Sequence, residues 1–164
     1  MNIIDNFLSQ KDFLQLQQGI ASNSFPWYYS KVLDGDYHEK FCNPNYNFQF
    51  YHGFYHGYQP SDHIELLTPF IHKLKPKALI RIKCNLTTRT PEIIEHGYHT
   101  DQPFSNFKTG IYYLNDNDGY TKFEDGSKVE SVANRYVEFD GNTLHTGTTC
   151  TNSNYRIVIN FNYF

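Results

Sequence analysis

The spacing of apolar residues changes character about halfway along the chain. In the first 75 residues the repeats are helical. Ser9-Gln10-Lys11-Asp12 is a capping-box pattern, and Phe13, Leu16 and Ile20 follow on one helical face. Asp62-His63-Ile64-Glu65 is a second box, after which Ile64, Leu67, Ile71 and Leu74 form one apolar stripe. Pro69 interrupts that helix or restarts it behind Thr68, and Pro76 ends it. Between the two, residues 25–58 are aromatic and broken by Pro and Gly, which predicts loops and irregular strands. From residue 78 the period becomes two. Over 78–87, Ile80, Ile82, Cys84 and Leu86 point one way, while Arg81, Lys83 and Asn85 point the other. Further strands are predicted at 109–115, 121–124, 128–132 and 136–139, separated by Asn117-Asp118-Gly119, Asp125-Gly126 and Asp140-Gly141. The chain closes on 155–163, with Tyr155, Ile157, Ile159, Phe161 and Tyr163 on one face and Arg156, Val158, Asn160 and Asn162 on the other. Helices followed by a run of short strands predict an α+β domain built on a sandwich or barrel.

Composition narrows the partners. At 164 residues the chain is one domain's worth, divided here into helical support over 1–77 and a strand core over 78–164. The formal net charge of -3 argues against a nucleic-acid binder held by phosphate contacts. No run approaches 18 apolar residues, so no membrane span is expected, and the acidic start lacks the pattern of a signal peptide. Cys42, Cys84 and Cys150 are scattered and form no CxxC, which reads as a reduced, cytoplasmic chain. Aromatic residues make up 18% and favour strands. Eight His in so short a chain make metal chemistry worth testing.

The segment His96-Gly97-Tyr98-His99-Thr100-Asp101 carries the candidate chemistry. On a strand, residues i and i+2 share a face, so His99 and Asp101 can offer a ring nitrogen and a carboxylate oxygen to one metal. His145, beyond several predicted strands, is the candidate third ligand. Two His and one carboxylate with open positions form the facial triad of non-haem Fe(II) oxygenases. His63 and Glu65 repeat the spacing, but on a predicted helix, where i and i+2 diverge. Arg156 lies eleven residues after His145, and its alternation sends it to the polar face. A solvated sheet face explains most such strands. It explains this one less well, because a single Arg among uncharged amides suits an anion, which a guanidinium grips as a fork.

These residues together resemble the Fe(II)/2-oxoglutarate-dependent oxygenases. The match is His99-Thr100-Asp101, His145 and Arg156. Gly110-Ile111-Tyr112-Tyr113-Leu114-Asn115 is similar to the strand after the HxD motif in animal oxygen-sensing prolyl hydroxylases. Asn134-Arg135-Tyr136-Val137-Glu138-Phe139-Asp140 is similar to the segment before the distal His in small bacterial and phage members. The resemblance covers roughly residues 78–164. It implies a mainly β chain with N-terminal helices and a double-stranded β-helix (jelly-roll, cupin-like) core. Fe(II) would be held by His99, Asp101 and His145, with 2-oxoglutarate and O2 as cosubstrates. Arg156 would bind the distal carboxylate of 2-oxoglutarate and Tyr113 would donate to it. Asn160 falls at a polar contact position, and Asn85 stands where prolyl hydroxylases put a tyrosine. The implied activity is hydroxylation of a C–H bond in a peptidyl, for instance prolyl, or small-molecule substrate. The implied compartment is the cytoplasm, a host's if the chain is phage-encoded. Two rivals differ in class: a cupin-like module that holds metal without turnover, and a structural jelly roll that binds none.

Other candidates read as structural. His96 and His99 would face opposite ways on a strand. The i,i+4 pair His52 and His56 sits among glycines and aromatics that oppose a helix, so loop packing is expected. Trp27 reads as a core anchor and Arg135 as half of an ion pair. Thr100 is expected to turn away from the metal, and residues 102–108 to form a lip near the substrate. The aromatic stretch 46–58 fits a cleft wall or the core equally well.

Overall fold

The computed structural model describes residues 1–32 and 48–164. Strand β1 (Asn2–Ile4) leads into helix α1 (Gln10–Ile20), followed by β2 (Tyr28–Ser30), β3 (Gln49–His56) and β4 (Gln59–Pro60). A 3-10 turn (Ile64–Leu67) runs into helix α2 (Thr68–Leu74). The remaining strands are β5 (Leu79–Thr88), β6 (Lys108–Tyr113), β7 (Tyr120–Phe123), β8 (Lys128–Glu130), β9 (Arg135–Asp140), β10 (His145–Gly147) and β11 (Tyr155–Tyr163). Among the described residues they form an eight-stranded antiparallel sheet in the order β1-β9-β6-β11-β5-β3-β2, with β4 on β3, and a three-stranded sheet β10-β7-β8. The result is a jelly roll backed by two helices.

The alternation of β11 explains the layers. Ile157, Ile159, Phe161 and Tyr163 join Ile82, Cys84 and Tyr112 on the outer face of the large sheet. There they pack on Phe13, Leu16 and Ile20 of α1 and on Leu67 and Phe70. Val158 faces the other way, with Ile111, Tyr113, Val137 and Phe139, and meets Phe123 and Val129 of the small sheet. Apolar packing therefore closes one end of the space between the sheets and leaves the rest to polar side chains. On the outer face Gly110 makes room for Tyr136: a Cβ there would lie 1.9 Å from its hydroxyl.

Helix α1 starts as the sequence predicts. Ser9 is its N-cap, with Oγ accepting the Asp12 amide at 3.2 Å. The second box does not form: His63 caps nothing through its side chain, and the Ser61 hydroxyl takes the His63 amide instead. Pro69 restarts the helix, sitting in the first turn of α2. The half read as helical support also supplies β1 to β4. Three of these have two or three residues, too few to display a period, and their pairing with β9 and β3 is what makes them strands. In β3 both faces carry aromatic or polar residues, so alternation is masked there as well. Cys42 and residues 46 and 47 of the aromatic stretch lie outside the described residues. Among those described, no helix is long and apolar enough to cross a membrane.

Candidate metal and anion site

His99, Asp101 and His145 converge, with one potential ligand atom from each lying within 4.8 Å of the others. Backbone pairing brings them there. His99 and His145 form an antiparallel bridge in which each amide donates to the other's carbonyl, at 3.0 and 3.1 Å. The 99–101 segment is thus laid against β10. Each imidazole has Nδ1 at a nearby carbonyl: His99 at Gly97 O (3.1 Å) and His145 at Thr143 O (3.0 Å). An N–H donated from Nδ1 leaves Nε2 bearing the lone pair, the arrangement metal-binding histidines use. His145 Nε2 is buried and has no hydrogen-bond partner, and it lies 4.0 Å from Asp101 Oδ2.

Asp101 is held from both sides. Arg81 Nη2 donates to Oδ1 at 2.7 Å and Asn162 Nδ2 to Oδ2 at 3.1 Å. Burial alone would push its carboxyl up. The Arg81 guanidinium, the two imidazoles and the Asn162 amide outweigh burial and hold it below the usual carboxylate value. Burial first, then His145, lowers His99, so its ring is neutral at pH 7. An ionised carboxylate, two imidazoles with Nδ1 held at carbonyls and an orphaned Nε2 fit a divalent ion, and the donor set of two nitrogens and one oxygen suits ferrous iron.

A cavity of about 320 Å³ extends from this cluster to Arg156. Arg156 is 4% exposed, and among the described residues no carboxylate lies within ion-pair distance of it. Its Nε donates to Ser131 Oγ (2.9 Å), and the guanidinium lies 5.6 Å from the Tyr113 ring centre. Gly119 makes room for it, since a Cβ there would come 2.6 Å from Arg156 Cδ. Burial lowers the Arg156 pKa, but a guanidinium stays charged at neutral pH, so among the described residues the site holds a cation without a counter-charge. Asn85 Oδ1, Asn160 Oδ1 and Thr87 Oγ1 also face the cavity region buried and without partners. Such orphans are costly unless a ligand or water meets them. A buried cation with the Thr87 hydroxyl nearby fits a small carboxylate, while the Asn85 and Asn160 oxygens, which only accept, suit water or a donor group beside it.

The predicted residues fall into place unevenly. His99, Asp101, His145, Arg156, Asn85 and Asn160 all line the cavity. The Tyr113 hydroxyl donates to Thr121 Oγ1 at 2.8 Å, so Thr121, with Tyr113 behind it, faces the cavity. His96 also lines it, beside His99, where strand alternation would have sent it away. Gly97, at φ 125°, breaks the extended backbone between them. Thr100 sits on the cavity wall as well. In the proposed lip, residues 103–106 are exposed and Phe107 is buried. Arg81 and Asn162 were on the predicted polar face without an assigned role. Their cross-strand register, which only the paired sheet supplies, aims both at Asp101. Away from the cavity, His52 packs on Phe25 and Phe54, Trp27 lies edge-on to Phe25, and Arg135 pairs with Asp5 at 2.6 Å.

No protein-family model matches the chain, and no curated protein sequence does. Solved structures do share its fold. A prolyl hydroxylase from Trichoplax adhaerens, in complex with a hypoxia-inducible-factor peptide fragment, superposes with a TM-score of 0.69 at 14% identity. It covers 99% of this chain and 82% of its own. The non-haem α-ketoglutarate-dependent epimerase SnoN of nogalamycin biosynthesis gives 0.66 at 14% identity, covering 99% and 76%. A Pseudomonas putida prolyl-4-hydroxylase gives 0.58 at 14% identity, covering 99% and 91%. The chain therefore has the jelly-roll fold of the 2-oxoglutarate oxygenases.

Proposed function

We propose that the protein is an Fe(II)- and 2-oxoglutarate-dependent oxygenase that hydroxylates a C–H bond. The observation that carries this reading is the pairing of two features in one cavity: a His-Asp-His cluster and a buried Arg156 that has no carboxylate partner among the described residues. The fold shared with prolyl hydroxylases and an α-ketoglutarate-dependent epimerase supports it. A bland polar sheet face would explain the cluster but not the unneutralised guanidinium.

In this reading His99, Asp101 and His145 hold the iron. Together, Fe(II) and 2-oxoglutarate supply oxidation of a C–H bond by O2, with succinate and CO2 as co-products. The carbonyls of Gly97 and Thr143 keep both imidazoles turned so that Nε2 faces the ion. Arg156 reads the distal carboxylate of 2-oxoglutarate. Thr121, with its oxygen occupied by the Tyr113 hydroxyl, is free to donate its own proton to the same carboxylate. Asn85 and Asn160 line the path between the two ends, and their amides meet the cosubstrate's flanks. The cavity lies at the small end of the range for ligand pockets, roughly 300–1,000 Å³. It suits the cosubstrate and one side-chain-sized group, so a peptidyl residue or a small metabolite is the substrate class.

Anaerobic addition of Fe(II) and 2-oxoglutarate tests the reading. A visible metal-to-ligand charge-transfer band is expected in the wild type and lost in His99→Ala and Arg156→Ala. Admission of O2 should then release succinate. A band unchanged in His99→Ala overturns the metal assignment, and a band without succinate leaves a metal-holding module in place of an enzyme.

A further inference from the structure

We propose that Arg81 is a positioning residue that limits Asp101 to one metal-facing oxygen and thereby keeps a coordination position open for O2 beside 2-oxoglutarate. The inference rests on the metal reading above and extends it to a residue outside the ligand set.

The register of the large sheet sets Arg81 on β5 directly opposite Asn162 on β11. Both point to the cavity face. Arg81 Nε donates to Asn162 Oδ1 at 3.2 Å, which stiffens the pair, while Arg81 Nη2 takes Asp101 Oδ1 at 2.7 Å. The other carboxylate oxygen, Oδ2, is the one that lies 4.0 Å from His145 Nε2. Asn162, itself 0% exposed and anchored to Thr109 Oγ1 at 3.2 Å, also donates to Oδ2 and fixes the plane of the carboxylate. The two oxygens therefore have different duties: Oδ2 faces the metal cluster and Oδ1 faces a guanidinium.

The division matters because a carboxylate can bind a metal through one oxygen or two. A facial triad works by leaving three positions open. If Asp101 turned to offer both oxygens, two positions would remain, enough for a chelating 2-oxo acid but with none left for O2. Turning would also break a short, charge-assisted bond inside the protein, where such bonds are strongest. Arg81 opposes that turn by its direction as much as by its charge. Asp101 itself is nearly covered, with 5% of its side chain accessible, while Arg81 is half-buried at the cavity rim.

The test uses the full chain loaded anaerobically with Fe(II) and 2-oxoglutarate and titrated with nitric oxide as a stand-in for O2, followed by electron paramagnetic resonance, with Mn(II) affinity read separately by calorimetry and no turnover required. Arg81→Met is expected to bind Mn(II) as tightly as the wild type or more tightly. Its affinity for nitric oxide should fall at least tenfold, and Arg81→Lys should recover most of that loss. Arg81→Gln, neutral and shorter, is expected to follow Arg81→Met and replaces it should that variant not fold. A nitric oxide affinity within twofold of wild type in either folded variant overturns the proposal while leaving the metal reading intact. Equal losses of Mn(II) and nitric oxide affinity also overturn it, because they report a damaged site. A wild type that binds no Mn(II) removes the metal reading itself.

Discussion

Replacing Arg156 by Met tests whether the buried guanidinium serves an anion or the fold. Met is unbranched, apolar and flexible enough to fill the space the arginine stem leaves. The structure supplies both magnitudes. Within the protein, Arg156 makes one short hydrogen bond, to Ser131 at 2.9 Å, and a long one to Thr121 at 3.4 Å. Among the described residues it has no carboxylate partner. Removing it therefore leaves no stranded counter-charge and relieves the desolvation of a cation, so stability of the unliganded protein should hold or rise. Were Arg156 half of a buried ion pair, the same change would cost about 3–5 kcal/mol. A carboxylate ligand, by contrast, loses at least one charge-assisted hydrogen bond worth about 1.5–3 kcal/mol, which is roughly a 10- to 150-fold loss of affinity. Thermal melts of the unliganded protein and calorimetric titration of 2-oxoglutarate into the Mn(II) form read the two quantities. Affinity within twofold of wild type would refute the anchor role. A stability loss of several kcal/mol without ligand would assign Arg156 to the fold.

Other outcomes follow from single contacts. His96 is buried, and burial, Arg156 and His99 lower its pKa from 6.5 to about 4. Between those values the unfolded chain holds a proton that the folded chain does not. Stability of the metal-free protein should therefore fall by roughly 3 kcal/mol as pH drops from 6.5 to 4, and His96→Asn should flatten that slope in urea titrations at each pH. Gly110→Ala places a methyl group 1.9 Å from the Tyr136 hydroxyl, which is bonded to Tyr163 at 3.0 Å, and should cost about 1–3 kcal/mol or more in the same assay. Gly119→Ala meets Arg156 Cδ at 2.6 Å and the Thr149 carbonyl at 2.7 Å, whereas Gly147→Ala meets its nearest atom, Arg156 Nη1, at 3.7 Å. The first should lower the melting midpoint and the second should leave it near wild type; equal midpoints would contradict the packing described.

Much of the site was legible because β11 alternates without interruption. Tyr155 to Tyr163 could be divided into two faces by counting, and Arg156 and Asn160 fell on the cavity face as counted. The spacing of His99 and Asp101 likewise made them candidates for one face. Their meeting with His145 depends on a bridge between segments remote in sequence, which no local pattern encodes. The same is true of Arg81: its alternation was plain, but its partner is set by the β5–β11 register and by where residue 101 lands. His96 was misdirected because one glycine at positive φ resets the alternation. The short strands β1 and β4 were invisible for another reason, since two or three residues carry no period and tertiary pairing alone makes them strands; β2 falls in the stretch read as loops and irregular strands, without bounds.

The most direct test of the central claim is a crystal of the full chain soaked anaerobically with Mn(II), with the ion located by its anomalous scattering. The account predicts one strong peak at about 2.0–2.2 Å from His99 Nε2, His145 Nε2 and a single Asp101 oxygen. A crystal with no peak between those three side chains, or with the ion held elsewhere in the chain, would contradict it.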